Sequence, residues 1–270
     1  MPDMLPTVHA RLTIGIVTYN SAAVIGETLD SLRTNLRPNQ DARILVRDNG
    51  SVDDTLALIR EAASHDPRIV VLEGDNVGFG RGNNAILDRV DSRFHVFCNP
   101  DILVFEDTID RCIGHLEAHP KVALVSPRMT FRDGTLQHSN RRHPTVVDLV
   151  LRRFASKGLQ RLFRRRMAHY EMADIGYDAP CDVPFASGSF MVCRTEALKA
   201  VGGFDDRYFL YFEDADLSRM LQEAGWRTVY LPDARVVHGW QRAAHKSLRV
   251  ALIMARNGVR YFAKWGWRLY

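Results

Sequence analysis

Short apolar segments alternate with amphipathic segments throughout the first half of the chain, and this order restricts the chain to a small group of folds. The apolar segments are rich in Val, Ile and Phe and are bounded by polar residues, which is typical of buried β-strands. They are RLTIGIV at 11–17, ARILVRD at 42–48, RIVVLE at 68–73 and RFHVFCN at 93–99. Strands that alternate with helices in this way predict an α/β fold, in which helices flank both faces of a mainly parallel sheet.

The segments between these strands carry apolar residues at helical spacing. They are SAAVIGETLDSLRTNL at 21–36, VDDTLALIREAASH at 52–65 and GRGNNAILDRV at 80–90. Ser21, Ser51 and the acidic residues near them are candidate N-caps, because short polar side chains accept hydrogen bonds from the free N–H groups of a first helical turn.

The composition is that of a folded protein, with 46% hydrophobic and 25% charged residues in a chain of 270. Cys98, Cys112, Cys181 and Cys193 are scattered without a C-x-x-C pair, which disfavours a zinc site or a disulfide framework and suits a reducing compartment. No segment approaches about 18 consecutive apolar residues, and the N-terminus has no signal-peptide pattern. We therefore expect a cytoplasmic protein without a membrane span.

Polar side chains follow each of the four predicted strands. The segments are TYN at 18–20, RDNGS at 47–51, EGDNVGFGRGNN at 73–84 and CNPD at 98–101. Because the carboxyl ends of parallel strands meet at one edge of a sheet, four such segments in succession predict a ligand site there. The glycines do not have the G-x-G-x-x-G spacing, which disfavours an NAD-binding domain.

Asp101, in the segment FCNPDILV, places one carboxylate at this sheet edge. Two interpretations stay open from the residues alone. A hard divalent cation needs only one or two protein carboxylates when phosphate and water complete its coordination shell. The Asn-Pro-Asp sequence is also typical of a turn, in which Asp101 forms the turn or caps a helix, and without further context the turn is the favoured interpretation.

A second acidic segment, YFLYFEDADLSRM at 208–220, sets Glu213, Asp214 and Asp216 beside aromatic residues. The preceding SGSFMVCRTEAL predicts a strand that enters a helix, and EDADLSRMLQEAG predicts an amphipathic helix with the three carboxylates at its N-terminus. Helix capping accounts well for Asp216. It accounts less well for the other two, because aromatic neighbours remove part of their hydration.

Together these motifs resemble family 2 glycosyltransferases with the GT-A fold, in the branch of bacterial rhamnosyltransferases. VTYN, RDNGSVDDT, NVGFGRGNN, NPD, the 187–225 segment and VVHGW follow one another in the family's order, from about 11 to 238. DGTLQHSNRRHPT at 133–145 and RNGVRYFAKW at 256–265 also resemble that branch. The resemblance implies a single domain over 1–270, with a nucleotide-sugar half at about 11–130, an acceptor half at about 131–240 and a helical segment at 241–270.

The resemblance also implies roles for the matching residues. Asp48 would accept a hydrogen bond from N3 of a uracil or thymine ring. The other residues expected at the nucleotide and its diphosphate are Thr18, Asn20, Asn76, Gly78, Arg81 and Asp101. NPD stands where many relatives have D-x-D, so Asp101 alone matches a carboxylate ligand for Mg²⁺ or Mn²⁺, and His238 matches a histidine that completes the metal site in some relatives. An unrelated surface histidine is the alternative.

Asp214 corresponds to the general base that takes the acceptor proton, and Glu213 to a residue that positions the acceptor. The implied reaction is inverting transfer of L-rhamnose from dTDP-L-rhamnose to a saccharide acceptor of a surface polysaccharide or a lipid-linked oligosaccharide. A transferase that uses a UDP-hexose or UDP-N-acetylhexosamine is the alternative, and a noncatalytic nucleotide-sugar-binding module is a further one. The basic pI does not come with a nucleic-acid-binding motif, so no nucleic-acid partner is expected.

The segment TVVDLVLRRFASKGLQRLFRRRMAHY at 145–170 is strongly basic, and nine Lys or Arg residues against one Asp lie between 141 and 170. Its apolar residues fall roughly along one side of a possible helix; they are Val146, Leu149, Val150, Phe154, Leu159, Leu162 and Phe163. A basic amphipathic helix suits the surface of an anionic membrane. A helix packed on the sheet, or a contact in a homo-oligomer, explains the pattern equally well.

Overall fold

The computed structural model describes residues 8–37, 41–154, 157–239 and 248–270. The strands are β1 Val8–Thr18, β2 Ala42–Asp48, β3 Ile69–Glu73, β4 Val90–Cys98, β5 Ile102–Val104, β6 Val122–Thr130, β7 Cys181–Asp182, β8 Phe190–Arg194 and β9 Arg227–His238. The helices are α1 Ile25–Asn35, α2 Thr55–His65, α3 Phe79–Leu87, α4 Thr108–Ala118, α5 Val146–Phe154, α6 Lys157–Leu162, α7 Arg164–Tyr170, α8 Thr195–Val201, α9 Glu213–Glu223 and α10 Leu248–Trp265.

The strands form a single sheet in the order β3-β2-β1-β4-β8-β6-β9-β5, with β7 beside β9. The four strands predicted from the first half pair in parallel, as β3-β2-β1-β4. β6 also runs parallel to β9, whereas β8 is antiparallel to both of its neighbours. The predicted α/β fold with a mainly parallel sheet is therefore confirmed, and the antiparallel β8 lies in the middle of the sheet.

Apolar side chains cover both faces of the sheet, which is why its central strands read as almost continuous hydrophobic runs. On one face, α1 and α4 contribute buried residues such as Leu29 and Leu116 to the largest core cluster. On the other face, α8 and α9 contribute Leu198, Leu217 and Leu221 to a second cluster. The strand-to-helix transition predicted for SGSFMVCRTEAL, β8 into α8, and the helix predicted at 213–225 are confirmed.

Of the predicted N-caps, Ser21 and Ser51 are wrong, whereas Asp54, one of the acidic residues near Ser51, occupies the N-cap position of α2. α1 begins after Val24 and α2 after Asp54, and neither N-cap residue makes a side-chain cap hydrogen bond. Ser51 instead links the loops that follow β1 and β2, because its hydroxyl accepts a hydrogen bond from the Asn20 N–H at 2.9 Å. A side chain that the local pattern assigns to helix capping is therefore used in a tertiary contact.

The possible single helix at 145–170 is also wrong, because Phe163 interrupts it in a nonhelical conformation between α6 and α7. Residues 155–156 and the side chains of Phe154 and Leu159 lie outside the described part of the chain. In the predicted C-terminal helical segment, α10 is present from Leu248 to Trp265. Residues 240–247, which include Trp240 of VVHGW, lie outside the described part of the chain.

Candidate active site

Glu213 and Asp214 are the first two residues of α9, and the backbone immediately before them is strained. Tyr211 and Phe212 have φ angles of 69° and 73°, in the left-handed region that non-glycine residues seldom adopt. Such strain costs of order 1–3 kcal/mol per residue and persists only where surrounding contacts enforce it. The turn therefore sets the direction in which the two carboxyl groups leave the helix.

Asn257 of α10 supplies the contacts that hold this turn. Its side chain is buried, and its amide nitrogen donates to the carbonyl oxygens of Leu210 at 2.9 Å and Tyr211 at 3.3 Å. The next residue, Gly258, leaves space for Phe212, because a Cβ there would lie 3.3 Å from the Phe212 ring. The Asn-Gly pair of RNGVRYFAKW thus belongs to the support of the acidic turn, a role that the sequence pattern did not indicate.

Asp216 does not cap α9, in contrast to the expectation from sequence. Phe212 occupies the N-cap position, and Asp216 is fully buried one turn further along. Its carboxylate accepts hydrogen bonds from the Lys264 ammonium at 2.7 Å and from the Trp265 indole N–H at 2.6 Å. The buried charge is therefore paired, and it ties α10 to α9 directly below the acidic turn.

Asp214 is half-buried, and both of its carboxylate oxygens are fixed. Oδ2 accepts a hydrogen bond from the Gly188 N–H at 3.0 Å, and Oδ1 accepts one from the Ala215 N–H at 2.9 Å. Burial raises the pKa of Asp214, while the Gly188 N–H and the positive charge of Arg141 act in the opposite direction. This combination gives an oriented carboxylate that is more basic than an ordinary aspartate.

Glu213 lies in a different environment although it is the adjacent residue. Its side chain is buried, and its Oε2 atom has no hydrogen-bond partner among the described residues. Burial raises the pKa of Glu213 well above its usual value, and repulsion from Asp214 adds to this effect. Two adjacent carboxyl groups in unequal surroundings favour one that is ionised and one that is protonated.

The loop between β3 and α3 packs against the segment that leads to the acidic turn. Gly78 has a φ of 91°, and a Cβ at this position would collide with the backbone carbonyl of Phe209, so only glycine fits. The Phe79 N–H donates to that same carbonyl at 3.0 Å. Asn76 and Arg81 are both exposed nearby, and the Arg81 Nε donates to the Asp206 carbonyl at 2.9 Å.

Asp48 is buried at the carboxyl end of β2. Its carboxylate accepts hydrogen bonds from the Thr18 hydroxyl at 2.9 Å and from the Ser51 N–H at 2.8 Å. Thr18 is itself buried, so its hydroxyl orients Asp48 rather than facing solvent. Asn20 is exposed, has a φ of 51° and accepts a hydrogen bond from the Val52 N–H through its side chain. The roles of these residues toward a nucleotide stay predictions.

Asp101 and His238 lie side by side where β5 pairs with the end of β9, with 3.5 Å between Asp101 Oδ1 and His238 Nε2. Gln137 fixes the tautomer of the His238 imidazole. Its amide nitrogen donates to the His238 carbonyl at 2.8 Å, so its amide oxygen faces His238 Nδ1 at 2.9 Å, and Nδ1 therefore carries the proton. Burial lowers the pKa of His238, although the Asp101 charge opposes this shift.

A neutral His238 with a protonated Nδ1 leaves two electron-pair donors facing each other, Nε2 and the Asp101 carboxylate. This arrangement fits a divalent cation, with Gln137 as the outer hydrogen-bond partner that ligating histidines usually have. In the described part of the chain, no group of three or more His, Cys, Asp or Glu side chains could hold a metal. A cation at this pair would therefore need phosphate oxygens or water to complete its coordination shell.

One hydrogen-bonded connection brings the Asp101 turn and the acidic turn together. The Asn99 N–H, at the start of the NPD turn, donates to the Ser189 carbonyl at 2.9 Å. The preceding residue, Gly188, is the one that binds Asp214. Because β8 lies beside β4, the segment before β8 places the candidate metal ligands and the candidate base at the same sheet edge.

The sequence model of Glycosyl transferase family 2 matches residues 13–202, which include part of β1, all of β2–β4, the NPD turn and Gly188. The chain belongs to this family. It is therefore a glycosyltransferase, in agreement with the resemblance of its motifs.

Among curated relatives, the family member is 28% identical over 255 residues to the N-acetylglucosaminyl-diphospho-decaprenol L-rhamnosyltransferase of Mycobacterium tuberculosis, covering 88% of this chain and 76% of the relative. It is 27% identical to the rhamnosyltransferase WbbL of Escherichia coli, covering 83% of this chain and 81% of WbbL. The relatives therefore include rhamnosyltransferases.

Solved glycosyltransferases share the fold of this family 2 chain. The mannosyltransferase PcManGT from Pyrobaculum calidifontis, in complex with GDP-Man and Mn²⁺, superimposes with a TM-score of 0.66 at 21% identity, over 97% of this chain and 66% of that one. GalNAc-T7, solved with UDP, GalNAc and Mn²⁺, gives a TM-score of 0.66 at 14% identity, over 86% and 44% of the two chains. These likenesses confirm the GT-A type of fold.

Proposed function

We propose that the chain is an inverting glycosyltransferase that transfers L-rhamnose from dTDP-L-rhamnose to a lipid-linked or polysaccharide acceptor. The observation that carries the proposal is the half-buried Asp214, whose two oxygens are held by backbone N–H groups at the sheet edge of a family 2 chain. Relatives whose names specify rhamnosyl transfer, in one case of L-rhamnose, support the choice of sugar. One of those names also specifies a diphospho-decaprenol acceptor, which supports the lipid-linked class.

In the proposed reaction, Asp214 removes the proton from an acceptor hydroxyl while that oxygen attacks the anomeric carbon of the donor. The bond from this carbon to the diphosphate oxygen breaks, and the nucleoside diphosphate leaves with the electron pair. A retaining mechanism would need a second carboxylate against the sugar. The neighbouring carboxyl group, Glu213, is less suited to that role, because burial and repulsion from Asp214 raise its pKa and so disfavour its ionised form. A protonated Glu213 can instead donate a hydrogen bond to the acceptor.

We assign the Asp101–His238 pair to a divalent cation, Mg²⁺ or Mn²⁺. Such a cation would neutralise charge that develops on the departing diphosphate. The imidazole ligand favours Mn²⁺ over Mg²⁺. The presence of Mn²⁺ in the PcManGT and GalNAc-T7 structures supports this assignment for the fold, while the pair of ligands here supports it for this chain.

A panel of nucleotide sugars tests the proposed donor. The purified protein is incubated with Mn²⁺, an acceptor mixture and one donor at a time, and the released nucleoside diphosphate is measured by mass spectrometry. We expect release from dTDP-L-rhamnose that depends on the acceptor and exceeds release from UDP-hexoses and UDP-N-acetylhexosamines. Release from UDP-GlcNAc alone would reverse the assignment in favour of the alternative transferase, because Asp48 can accept a bond from either pyrimidine ring.

We also propose that the basic surface formed by α6 and α7 contacts an anionic membrane. Arg164 and Arg165 are exposed, and the apolar Leu162 beside them is 76% exposed. They line an open depression of about 630 Å³ together with His169 and Tyr270. Each cation near an anionic lipid surface contributes about 1 kcal/mol. No helix in the described ranges is long and apolar enough to cross a bilayer.

Cosedimentation with liposomes checks this surface. We expect binding to anionic but not neutral liposomes, and a loss of binding as salt shortens the Debye length from about 10 Å at 0.1 M to about 3 Å at 1 M. Changing Arg164 and Arg165 together to Ser should reduce binding. Arg166 is kept because it pairs with buried Asp148 at 2.7 Å and so stabilises the fold. Equal recovery of both proteins with both liposome types would show that this surface has another role.

A further inference from the structure

The segment from His138 to Arg141, within the motif DGTLQHSNRRHPT, has polar side-chain atoms that the fold leaves unsatisfied. Four consecutive residues each carry one buried atom without a hydrogen-bond partner among the described residues: His138 Nδ1, Ser139 Oγ, Asn140 Oδ1 and Arg141 Nε. Unsatisfied buried polar atoms are rare in folded proteins and often mark a site for a ligand, ion or water. Arg141 is the only one of the four that brings a permanent positive charge.

The backbone holds Arg141 in place, even though its Nε atom has no hydrogen-bond partner in the described ranges. Arg141 and Phe185 exchange two backbone hydrogen bonds, each of 2.9 Å, and the guanidinium carbon lies 5.3 Å from the centre of the Phe185 ring. The side chain is half-buried. A guanidinium that packs against an aromatic ring keeps its N–H donors available for hydrogen bonds.

Arg141 is close to the candidate base. Phe185 begins the short segment that leads to Gly188, whose N–H binds Asp214. Burial is the main cause that lowers the pKa of Arg141, and the negative charge of Asp214 is among the effects that oppose it. The guanidinium nevertheless stays charged at neutral pH, as arginine does in proteins. Because two backbone N–H groups already satisfy the oxygens of Asp214, this carboxylate does not need Arg141 as a hydrogen-bond donor.

Arg141 lies apart from Asp48, the residue proposed to bind the nucleotide base. Asp48 lies at the end of β2, on the β3-β2-β1 side of the sheet, whereas Phe185 lies between β7 and β8 on the other side. The charge of Arg152 on α5 also acts on Arg141. α5 contacts α7, the helix that carries the exposed Arg164 and Arg165. Positive charge therefore extends from the candidate base toward the basic surface.

We propose that Arg141 binds a phosphate oxyanion carried by the acceptor, next to the hydroxyl that Asp214 deprotonates. The planar guanidinium can donate two parallel hydrogen bonds to a phosphate, and the half-buried site strengthens them. This assignment rests on the proposed function, because it requires an acceptor that bears a phosphate group close to the reacting sugar. It makes Arg141 a residue that selects phosphate-linked acceptors over neutral ones.

The test compares two acceptors that differ only in the phosphate. One carries the acceptor sugar on a short prenyl diphosphate, and the other carries the same sugar as a neutral alkyl glycoside. The variants are Arg141→Lys, which keeps the charge but loses the planar fork, and Arg141→Met, which removes the charge. Arg111→Met, at an exposed arginine of α4, is the matched control. Circular dichroism checks folding, and calorimetry measures binding of the nucleoside diphosphate alone.

We expect the KM for the diphosphate acceptor to rise about 10- to 100-fold in Arg141→Met and less in Arg141→Lys, as for the loss of a charge-assisted hydrogen bond. The alkyl glycoside should react within about 2-fold of wild type, because it makes no such bond. Binding of the nucleoside diphosphate should not change. If Arg141→Met fails to fold, the acceptor-dependent change in Arg141→Lys decides the question.

Two results would overturn the assignment while leaving the proposed function intact. An equal loss with both acceptors, together with a shifted pH profile, would mean that Arg141 acts on Asp214. Weaker binding of the nucleoside diphosphate would place Arg141 at the donor. A wild-type protein that transfers sugar to neither acceptor would contradict the proposed function itself, and the assignment would fall with it.

Discussion

Replacing Asp214 with Asn should leave the fold and donor binding intact and reduce turnover by roughly 10²- to 10⁴-fold, the usual range for the loss of a general base. The amide has nearly the same shape as the carboxylate but cannot take a proton from the acceptor. Its oxygen can still accept the Gly188 N–H, so the turn before α9 should keep its geometry. Steady-state kinetics at saturating donor measures the effect, and calorimetry with the nucleoside diphosphate checks donor binding.

Glu223→Gln is the control for this substitution, because it removes an exposed carboxylate from the other end of the same helix. The control should retain wild-type turnover. If Asp214→Asn also turned over at nearly the wild-type rate, the base would have to be another group, and Glu213 would be the first candidate.

The raised pKa of Asp214 gives the same prediction a pH dependence. The base must be ionised to accept a proton, so turnover should fall as pH decreases through the pKa of Asp214. Because burial raises that pKa, the fall should begin at a higher pH than for an exposed aspartate. The acid limb of the pH profile of kcat should therefore be lost in Asp214→Asn, while Glu223→Gln keeps it.

Sequence periodicity was sufficient for the parallel half of the sheet, because each of its strands is a local apolar run and each helix repeats at helical spacing. β1–β4 form where the pattern predicts them. Asp101 and His238 were expected at one site because they match family motifs. In the fold they are adjacent because β5 pairs with β9, across more than half of the chain. Local pattern cannot supply a pairing of that kind.

The residues that support the site, Gln137 and Asn257, could not be predicted from the sequence pattern for a related reason. Gln137 acts through His238, and Asn257 acts through the carbonyls of the turn before α9. Neither the residue type nor its spacing predicts such a contact, because amide side chains are also common on protein surfaces. The one available signal was that both residues fall inside motifs, DGTLQHSNRRHPT and RNGVRYFAKW, that resembled the family without an assigned role.

Asp216 shows the opposite error, in which a local rule gave a sufficient but incorrect explanation. An acidic residue in the first turn of a helix satisfies the capping preference, so capping alone was sufficient to explain Asp216. In the fold, Lys264 and Trp265 of α10, which follow Asp216 by 48 and 49 positions in the chain, donate hydrogen bonds to its carboxylate. A fully buried carboxylate needs such partners, and the sequence does not show which ones will be near.

Replacing Asp101 with Ala should remove most activity and weaken Mn²⁺-dependent donor binding. A metal that polarises the diphosphate supplies several kcal/mol of transition-state stabilisation, which corresponds to a loss of about 10²-fold or more. The direct measurement is calorimetry of Mn²⁺ binding in the presence of the nucleoside diphosphate, since His238 alone should hold the ion poorly. Glu106→Ala, which removes an exposed carboxylate just beyond β5, should bind Mn²⁺ as the wild type does.

An assay of turnover in EDTA separates a bound cation from basic side chains, such as Arg81, as the means of stabilising the leaving group. If Asp101 and His238 hold the cation, excess EDTA should abolish wild-type turnover and Mn²⁺ should restore it, whereas Asp101→Ala should not recover. Gln137→Leu should lie between the two, because it leaves both ligands but frees the imidazole to change tautomer, a loss typically of 10- to 100-fold in metal affinity. Full wild-type activity in EDTA would contradict the metal assignment, and Asp101 would then be a residue of the NPD turn alone.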